Sequence, residues 1–283
     1  VKHIIHSYTF RDYPLEHAFL CANRYGYDGI ELQPCHFNPD DVEEEVRKAA
    51  ALADEYGIPL HCVDYIGDFI ADDESTRQAT VDIALRTIDA CAEHGIPLIN
   101  GFSGWIGQHE YDYGENGSVI ATQEHYERAA EAYRRLAHHG QEQGVKVAIE
   151  IHMNTIHDSV ASTHRLLDMI GHNNVFVTPD PGNMFTVPHA EKAPSSLDSL
   201  KDSIAYCHFK NAVPALKGFD FSVKLDNGYI DTYKWIAKLD ELQFHEAVCI
   251  EYCGEGDPHP SARDDLIYFK ECVALLSAAV TPI

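Results

Sequence analysis

Residues 145–180, VKVAIEIHMNTIHDSVASTHRLLDMIGHNNVFVTPD, decide the fold. The β-branched, apolar run VKVAIEI (145–151) follows Gly144, where the preceding helix stops, and reads as a strand. A helix follows over about 158–170, and VFVTPD (175–180) reads as the next strand. Strand, helix and strand in this order form the crossover unit of a parallel sheet.

The same unit repeats in both directions along the 283 residues. Upstream, KHIIHSY (2–8) precedes a helix at about 14–25, and YDGIELQ (27–33) precedes one at about 40–56. PLHCVDY (59–65) precedes a helix at about 73–94, and PLINGF (97–102) leads through a Gly/Tyr-rich loop to one at about 120–143. Downstream, VFVTPD leads through a long loop to a helix at about 195–203. IAYCHFK (204–210) precedes a helix at about 231–242, and AVCIEYC (247–253) precedes the last, at about 261–279. Asp72-Asp73 and Ser261 are expected N-caps; Gly57, Gly95, Gly140 and Gly144 fall where helices are expected to stop. Eight such units with no composition break predict a single (β/α)8 TIM barrel domain over 1–283. An open doubly wound sheet would carry a glycine-rich phosphate loop after its first strand, and HSYTFRD contains no glycine.

Charge narrows the function. With 45 Asp+Glu against 21 Lys+Arg, the formal net charge is −24. So acidic a surface repels phosphate backbones and anionic lipid, which argues against nucleic-acid and membrane partners. The longest apolar stretches, such as VALLSAAV (273–280), fall well short of the roughly 20 residues of a membrane span. No basic segment precedes an apolar one at the start, so no signal peptide is expected. The eight cysteines are scattered without a CxxC pair, which predicts a reduced, cytoplasmic protein and makes the Asn116-Gly117-Ser118 sequon fortuitous.

In a parallel barrel the chemistry sits at the C-terminal strand ends. The last four strands each finish with a metal-competent side chain: Glu150, Asp180, His208 and Glu251. Alternation along a strand puts Ala148, Glu150 and His152 on one face, Cys249, Glu251 and Cys253 on another, and Tyr206, His208 and Lys210 on a third. Each residue alone has an ordinary explanation, as helix cap, ion pair or core histidine; four at equivalent positions argue together. Three carboxylates and one imidazole make an oxygen-rich set suited to one divalent ion, Mn²⁺ or Mg²⁺, and open to Co²⁺ or Zn²⁺. Manganese is the expected cofactor. His152 can act as general base beside the metal or as a hydrogen-bond partner of a liganding carboxylate. His6 and His61 are candidates for the pocket lining, and Lys210 for holding substrate hydroxyls or an enolate. Trp105, Tyr111 and Tyr113 in the loop 101–118 are candidates for stacking on a sugar ring or for a hydrophobic plug.

The chain resembles the xylose-isomerase-like (AP-endonuclease-2-like) barrel superfamily of sugar isomerases, epimerases and dehydratases. The resemblance rests on HSYTFRDYPLEHAFLCANRYGYDGIEL (6–32), the strand ends IEIH, TPDPGN and CHFKN, the turn LDNGYID (225–231), and IEYCGEGDPHPSARDDLIYFKE (250–271). It implies that Glu150, Asp180, His208 and Glu251 share one divalent metal and that the two glutamates move protons. Two positions depart from the pattern. Asn183 stands where many relatives have a substrate-touching histidine, and Pro214 where ketose 3-epimerases carry an arginine. The DNA-repair branch needs further histidines and a basic face, which the net charge opposes.

The expected activity is therefore a metal-dependent isomerase or epimerase that abstracts a proton next to a keto-sugar carbonyl through a metal-stabilised enediolate. The alternatives are a lyase on an oxo-sugar, such as an inosose-type dehydratase or the catalytic subunit of a C-glycoside deglycosidase, and a non-catalytic sugar-binding barrel. The expected partner is a small sugar or sugar derivative. The expected assembly is a homo-oligomer, or a hetero-oligomer with a small second subunit if the protein is a deglycosidase.

Overall fold

The computed structural model describes residues 1–107 and 112–279. The barrel strands are β1 (Lys2–His6), β2 (Gly29–Leu32), β3 (Leu60–Ile66), β4 (Leu98–Phe102), β5 (Lys146–Glu150), β6 (Val175–Thr178), β7 (Tyr206–Phe209) and β10 (Ala247–Ile250). Between β7 and β10 lies a small hairpin, β8 (Val213–Pro214) with β9 (Phe219–Asp220). The helices are α1 (Leu15–Tyr25), α2 (Val42–Tyr56), α3 (Glu74–Glu93), α4 (Gln123–Gln143), α5 (Val160–Ile170), α6 (Pro181–Thr186), α7 (Thr232–Glu241) and α8 (His259–Ala279).

All eight barrel strands run parallel in the order β6-β5-β4-β3-β2-β1-β10-β7. The seam between β6 and β7 is joined by a parallel bridge between Val177 and Ile204, and the amide of His208 donates to the Pro179 carbonyl at 3.0 Å. The ring is thus nearly closed, as a single (β/α)8 barrel. First and last barrel strands pair directly, Lys2 beside Ala247 through Ile5 beside Ile250.

Three local expectations change. The loop after β6 contains α6, because Asp180 caps it: its Oδ1 accepts from the amides of Gly182 at 2.7 Å and Asn183 at 3.1 Å. Where a helix was expected at 195–203 there is a tighter 3₁₀ segment, Pro194–Leu200, started by its proline. Ser261 and Gly140 lie inside helices rather than at their ends. Gly140 is there for closeness: a Cβ would stand 2.5 Å from the Val145 carbonyl oxygen. Asp73 does cap α3, accepting from the Thr76 amide at 2.8 Å, a contact worth about 1 kcal/mol.

Two layers fill the barrel. Ile4, Cys62, Leu98, Ala148, Tyr206, Ala247 and Cys249 form an apolar plug inside the ring. Two residues further along six of those strands, on the same face, come His6, Asp64, Asn100, Glu150, His208 and Glu251. The plug supports a polar floor at the C-terminal mouth. Among the described residues, no helix is long and apolar enough to cross a membrane.

Candidate active site

The floor is almost wholly withdrawn from water. Glu31 and Asp180 have no exposed surface, His208 and Asn183 at most 1%, and Asp64, Glu150 and Glu251 no more than 8%. Above it opens a cleft of about 410 Å³, within the range of small-ligand pockets. His6, Asp64, Glu150, Asn183, Lys210 and Glu251 reach the cleft from below; Tyr8, Phe102, Trp105, Tyr113, Phe221 and His152 form its walls.

Of the four residues expected to share a metal, Glu150, Asp180 and His208 bring ligand atoms within 4.8 Å of one another. His208 Nδ1 lies 3.6 Å from Glu150 Oε1. Glu251 is joined to this trio through Lys210, whose ammonium stands 2.7 Å from Glu251 Oε2 and 2.9 Å from Asp180 Oδ2. Asp180 therefore does two things: Oδ1 caps α6 and Oδ2 faces the floor. Asn183 donates its amide to Glu150 Oε1 at 2.7 Å and to the Ile151 carbonyl at 3.2 Å, fixing that carboxylate at the cleft wall.

His6 Nε2 lies 2.9 Å from Asp64 Oδ2, and its Nδ1 lies 3.3 Å from the Tyr8 amide nitrogen and 3.6 Å from Glu251 Oε1. His152 lines the cleft, its Nδ1 2.8 Å from the Met153 carbonyl and its ring stacked 4.9 Å from Phe102. Trp105, 60% exposed, sits at the rim beside that ring, and Tyr113 stacks on Phe219. Tyr111 lies outside the described residues. His61 is not part of the site. It is the second residue of β3, at the opposite end of the barrel, 5.5 Å from Tyr206; facing a strand end rather than merely lying on a strand is what places a group in the mouth.

Sequence reasoning missed Glu31, Asp64 and Asn100. Glu31 Oε2 lies 2.9 Å from His208 Nε2, and the Asn100 amide donates to Glu31 Oε1 at 3.2 Å. The strand-end rule applied to GIELQ and CVDYI, and not only to the last four strands, would have found both acids. Glu31 pairs in register with His6, and Asp64 with Asn100.

The electrostatics follow from five buried carboxylates facing one ammonium and two imidazoles. Burial alone would lower the His6 imidazolium, but Glu251, Glu31 and Asp64 push it up to about 9. Burial likewise opposes a charged His208, and Glu31 and Glu150 override it. Burial would raise Glu150 and Glu251; His208 chiefly holds the first well below the carboxylate range, and Lys210 with His6 holds the second near 2. Asp64 and Asp180 go the other way, raised by burial, with Glu31 adding to the first and Lys210 opposing for the second.

With all five carboxylates ionised, two negative charges would stay uncompensated even beside the ammonium and two imidazolium ions, and the raised Asp64 and Asp180 carboxyls answer that surplus; buried charge is costly unless paired or bound to metal. Six buried side-chain polar atoms among the described residues lack a hydrogen-bond partner, and three of them are here: His208 Nδ1, Asp180 Oδ2 and Asn183 Oδ1. (The Asp180 contact with Lys210 is an ion pair, misaligned for a hydrogen bond.) A set of carboxylate oxygens and one imidazole with spare lone pairs fits a divalent cation.

A nearly closed parallel barrel with acids and imidazoles gathered at its C-terminal mouth defines a barrel-mouth active-site architecture. The model of the xylose isomerase-like TIM barrel family matches residues 19–272, and the chain belongs to that family. Two curated relatives, the fructoselysine 3-epimerases of Shigella flexneri and Escherichia coli O157:H7, are 33% and 32% identical over 88 residues. That match covers 28% of this chain and 32% of each relative, so it spans about a third of their length. Three solved structures share the fold at 16% identity. A D-tagatose 3-epimerase-like protein superposes with a TM-score of 0.79, covering 99% of this chain and 100% of that one. The 3-keto-D-glucoside 4-epimerase of E. coli gives 0.77, covering 96% and 100%. A xylose isomerase-like TIM barrel protein from Mycobacterium smegmatis, in complex with magnesium, gives 0.74 and covers 97% of each chain.

Proposed function

We propose that this protein is a divalent-metal-dependent sugar epimerase or isomerase that removes a proton beside the carbonyl of a ketose or related keto-sugar. The observation carrying the proposal is the pair Glu150 and Glu251, two carboxylates reaching one cleft from strands three places apart in the ring, on either side of His208. Glu150, Asp180, His208 and Glu251 are the residues that would hold the ion. A divalent cation there supplies Lewis acidity, acidifying the C–H beside a bound carbonyl and stabilising the charge that develops on oxygen.

The chain's own groups do the proton work. Glu150 has Oε1 engaged by Asn183, which leaves Oε2 for a substrate proton. Glu251 has Oε2 engaged by Lys210, which leaves Oε1. Both are held ionised at neutral pH, the form a proton acceptor must have. Removal by one carboxylate and delivery to the opposite face by the other, once that one has taken up a proton from solvent, inverts the carbon and leaves the abstracted proton on the first to exchange with solvent. Return of the abstracted proton to the neighbouring carbon isomerises the sugar. With Nδ1–H of His152 directed to the Met153 carbonyl, its Nε2 is the basic atom and a third group able to hold the proton. The aromatic walls restrict water and offer flat faces to a sugar ring.

Supporting the substrate class, the curated relatives are named for fructoselysine, a ketose derivative. One observation favours a lyase as second reading: Pro214 is exposed in the β8–β9 hairpin, and no arginine is among the described residues lining the cleft. The test is incubation of Mn²⁺-loaded protein with ketoses and 3-oxo-sugars in deuterated water. Epimerase or isomerase action puts deuterium into recovered sugar, and lyase action releases an unsaturated product. Neither signal across a broad panel, with sugar binding intact, would identify a binding barrel and end the proposal.

A further inference from the structure

Outside the mouth, a second cluster of ligand-type side chains joins the two ends of the chain. His17 and Cys21 are four residues apart on α1 and so share a helix face. His259 is the first residue of α8. Because β1 pairs with β10, α1 and α8 are neighbours in the ring, and residues 242 apart in sequence meet. His17 Nε2 stands 2.8 Å from His259 Nε2, Cys21 Sγ stands 3.4 Å from His17 Nε2, and the three ligand atoms all lie within 4.8 Å of one another.

We infer that His17, Cys21 and His259 form a second metal site, one for a soft or borderline ion such as zinc, that clamps α1 to α8. A tetrahedral ion with metal–nitrogen bonds of about 2.0–2.1 Å and metal–sulfur bonds of about 2.3 Å holds its ligands about 3.3 Å (N to N) and 3.6 Å (N to S) apart. The His17–His259 and His17–Cys21 distances are within about half an ångström of that, and Cys21 and His259 lie within 4.8 Å of each other.

The surroundings prepare the ligands. Asp257 Oδ1 lies 2.6 Å from His259 Nδ1, so that nitrogen donates its proton to the carboxylate and Nε2 presents its lone pair to His17. A carboxylate behind a liganding histidine, fixing tautomer and ring direction, is the usual second layer of a metal site. Tyr13 stacks on the His17 ring at 4.6 Å, and Phe10 packs against both imidazoles at 5.6 and 5.5 Å. Cys21 is 3% exposed, while both histidines are only half-buried, which leaves an entry path.

A thiol and two imidazoles select differently from the oxygen-rich mouth: zinc or cobalt here, manganese or magnesium there.

The test is cobalt(II) titration of the chelator-stripped full-length protein, followed by its near-ultraviolet thiolate-to-cobalt absorption. The expected result is one equivalent of absorbing cobalt, kept in His208→Ala and lost in Cys21→Ser. Direct metal analysis of zinc-loaded protein is expected to fall by one equivalent in both Cys21→Ser and His259→Ala. A wild type without the absorption, or a Cys21→Ser variant retaining it and its full zinc content, would overturn the inference and leave a hydrogen-bonded histidine pair. The readout is independent of sugar turnover, so it stands or falls separately from the proposed activity.

Discussion

Lys210→Met probes the charge balance of the mouth most directly. The lysine ammonium is 6% exposed and sits between Asp180 Oδ2 and Glu251 Oε2 at 2.9 and 2.7 Å. Methionine keeps the length and volume of the stem but removes the charge. Breaking a buried ion pair from one side costs about 3–5 kcal/mol, because the partners stay buried without compensation. For a domain of this size each kcal/mol moves the melting temperature by about 2–4 °C, so metal-free Lys210→Met should melt roughly 6–20 °C below wild type. The same substitution frees two carboxylates of the proposed ligand set from competition with the ammonium. Divalent metal should therefore stabilise the variant more than it does wild type, with a gain of about 2.7 kcal/mol reached when free metal is 100 times Kd. The assay is calorimetry of chelator-treated wild type and variant, repeated across a manganese series. If the metal-free variant melts within a degree or two of wild type, the ammonium is not balancing those acids. If manganese rescues the variant no better than wild type, Asp180 and Glu251 are not ligands.

Further outcomes are expected. His208→Ala should lose the manganese bound at the mouth, read by metal analysis after dialysis, and with it all turnover. His152→Ala should retain metal and lose about 10²–10⁴-fold in kcat if the imidazole carries the proton; near-normal turnover would restrict it to the wall formed with Phe102 and Trp105. Asp265, which accepts the Leu225 amide at 2.8 Å, has its carboxyl pushed up to about 7 by burial. The folded state then keeps a proton that the unfolded chain releases near 3.8, so this group's contribution is full below about pH 4 and is lost as pH rises toward 7. Urea unfolding of Asp265→Asn should show the variant gaining on wild type by a few kcal/mol between those limits and no further above pH 7. A constant difference across that window would refute the assignment.

Much of the site was legible because a parallel barrel makes strand ends equivalent. Glu150, Asp180, His208 and Glu251 could be picked from IEIH, TPDPGN, CHFKN and IEYCG once the strands were located, and the structure brings the first three within ligand distance of one another. Asp180 also shows the limit of choosing one role for a residue, since one oxygen caps α6 and the other faces the floor. Glu31 was missed although it occupies an equivalent position on β2, beside His6 in register. His61 was misplaced because a histidine on a strand carries no label for which end of the barrel it serves.

The order of the eight barrel strands and their parallel sheet were determined by the sequence alone. They depend on local periodicity: alternate side chains share a face, and glycines and caps end the helices. Ring closure decided the rest. It set the Lys210 ammonium between acids from two other strands, placed Glu31 against His208, and carried His259 to His17 across 242 positions. Those contacts depend on where distant segments meet in space, and no short-range pattern in a chain records that.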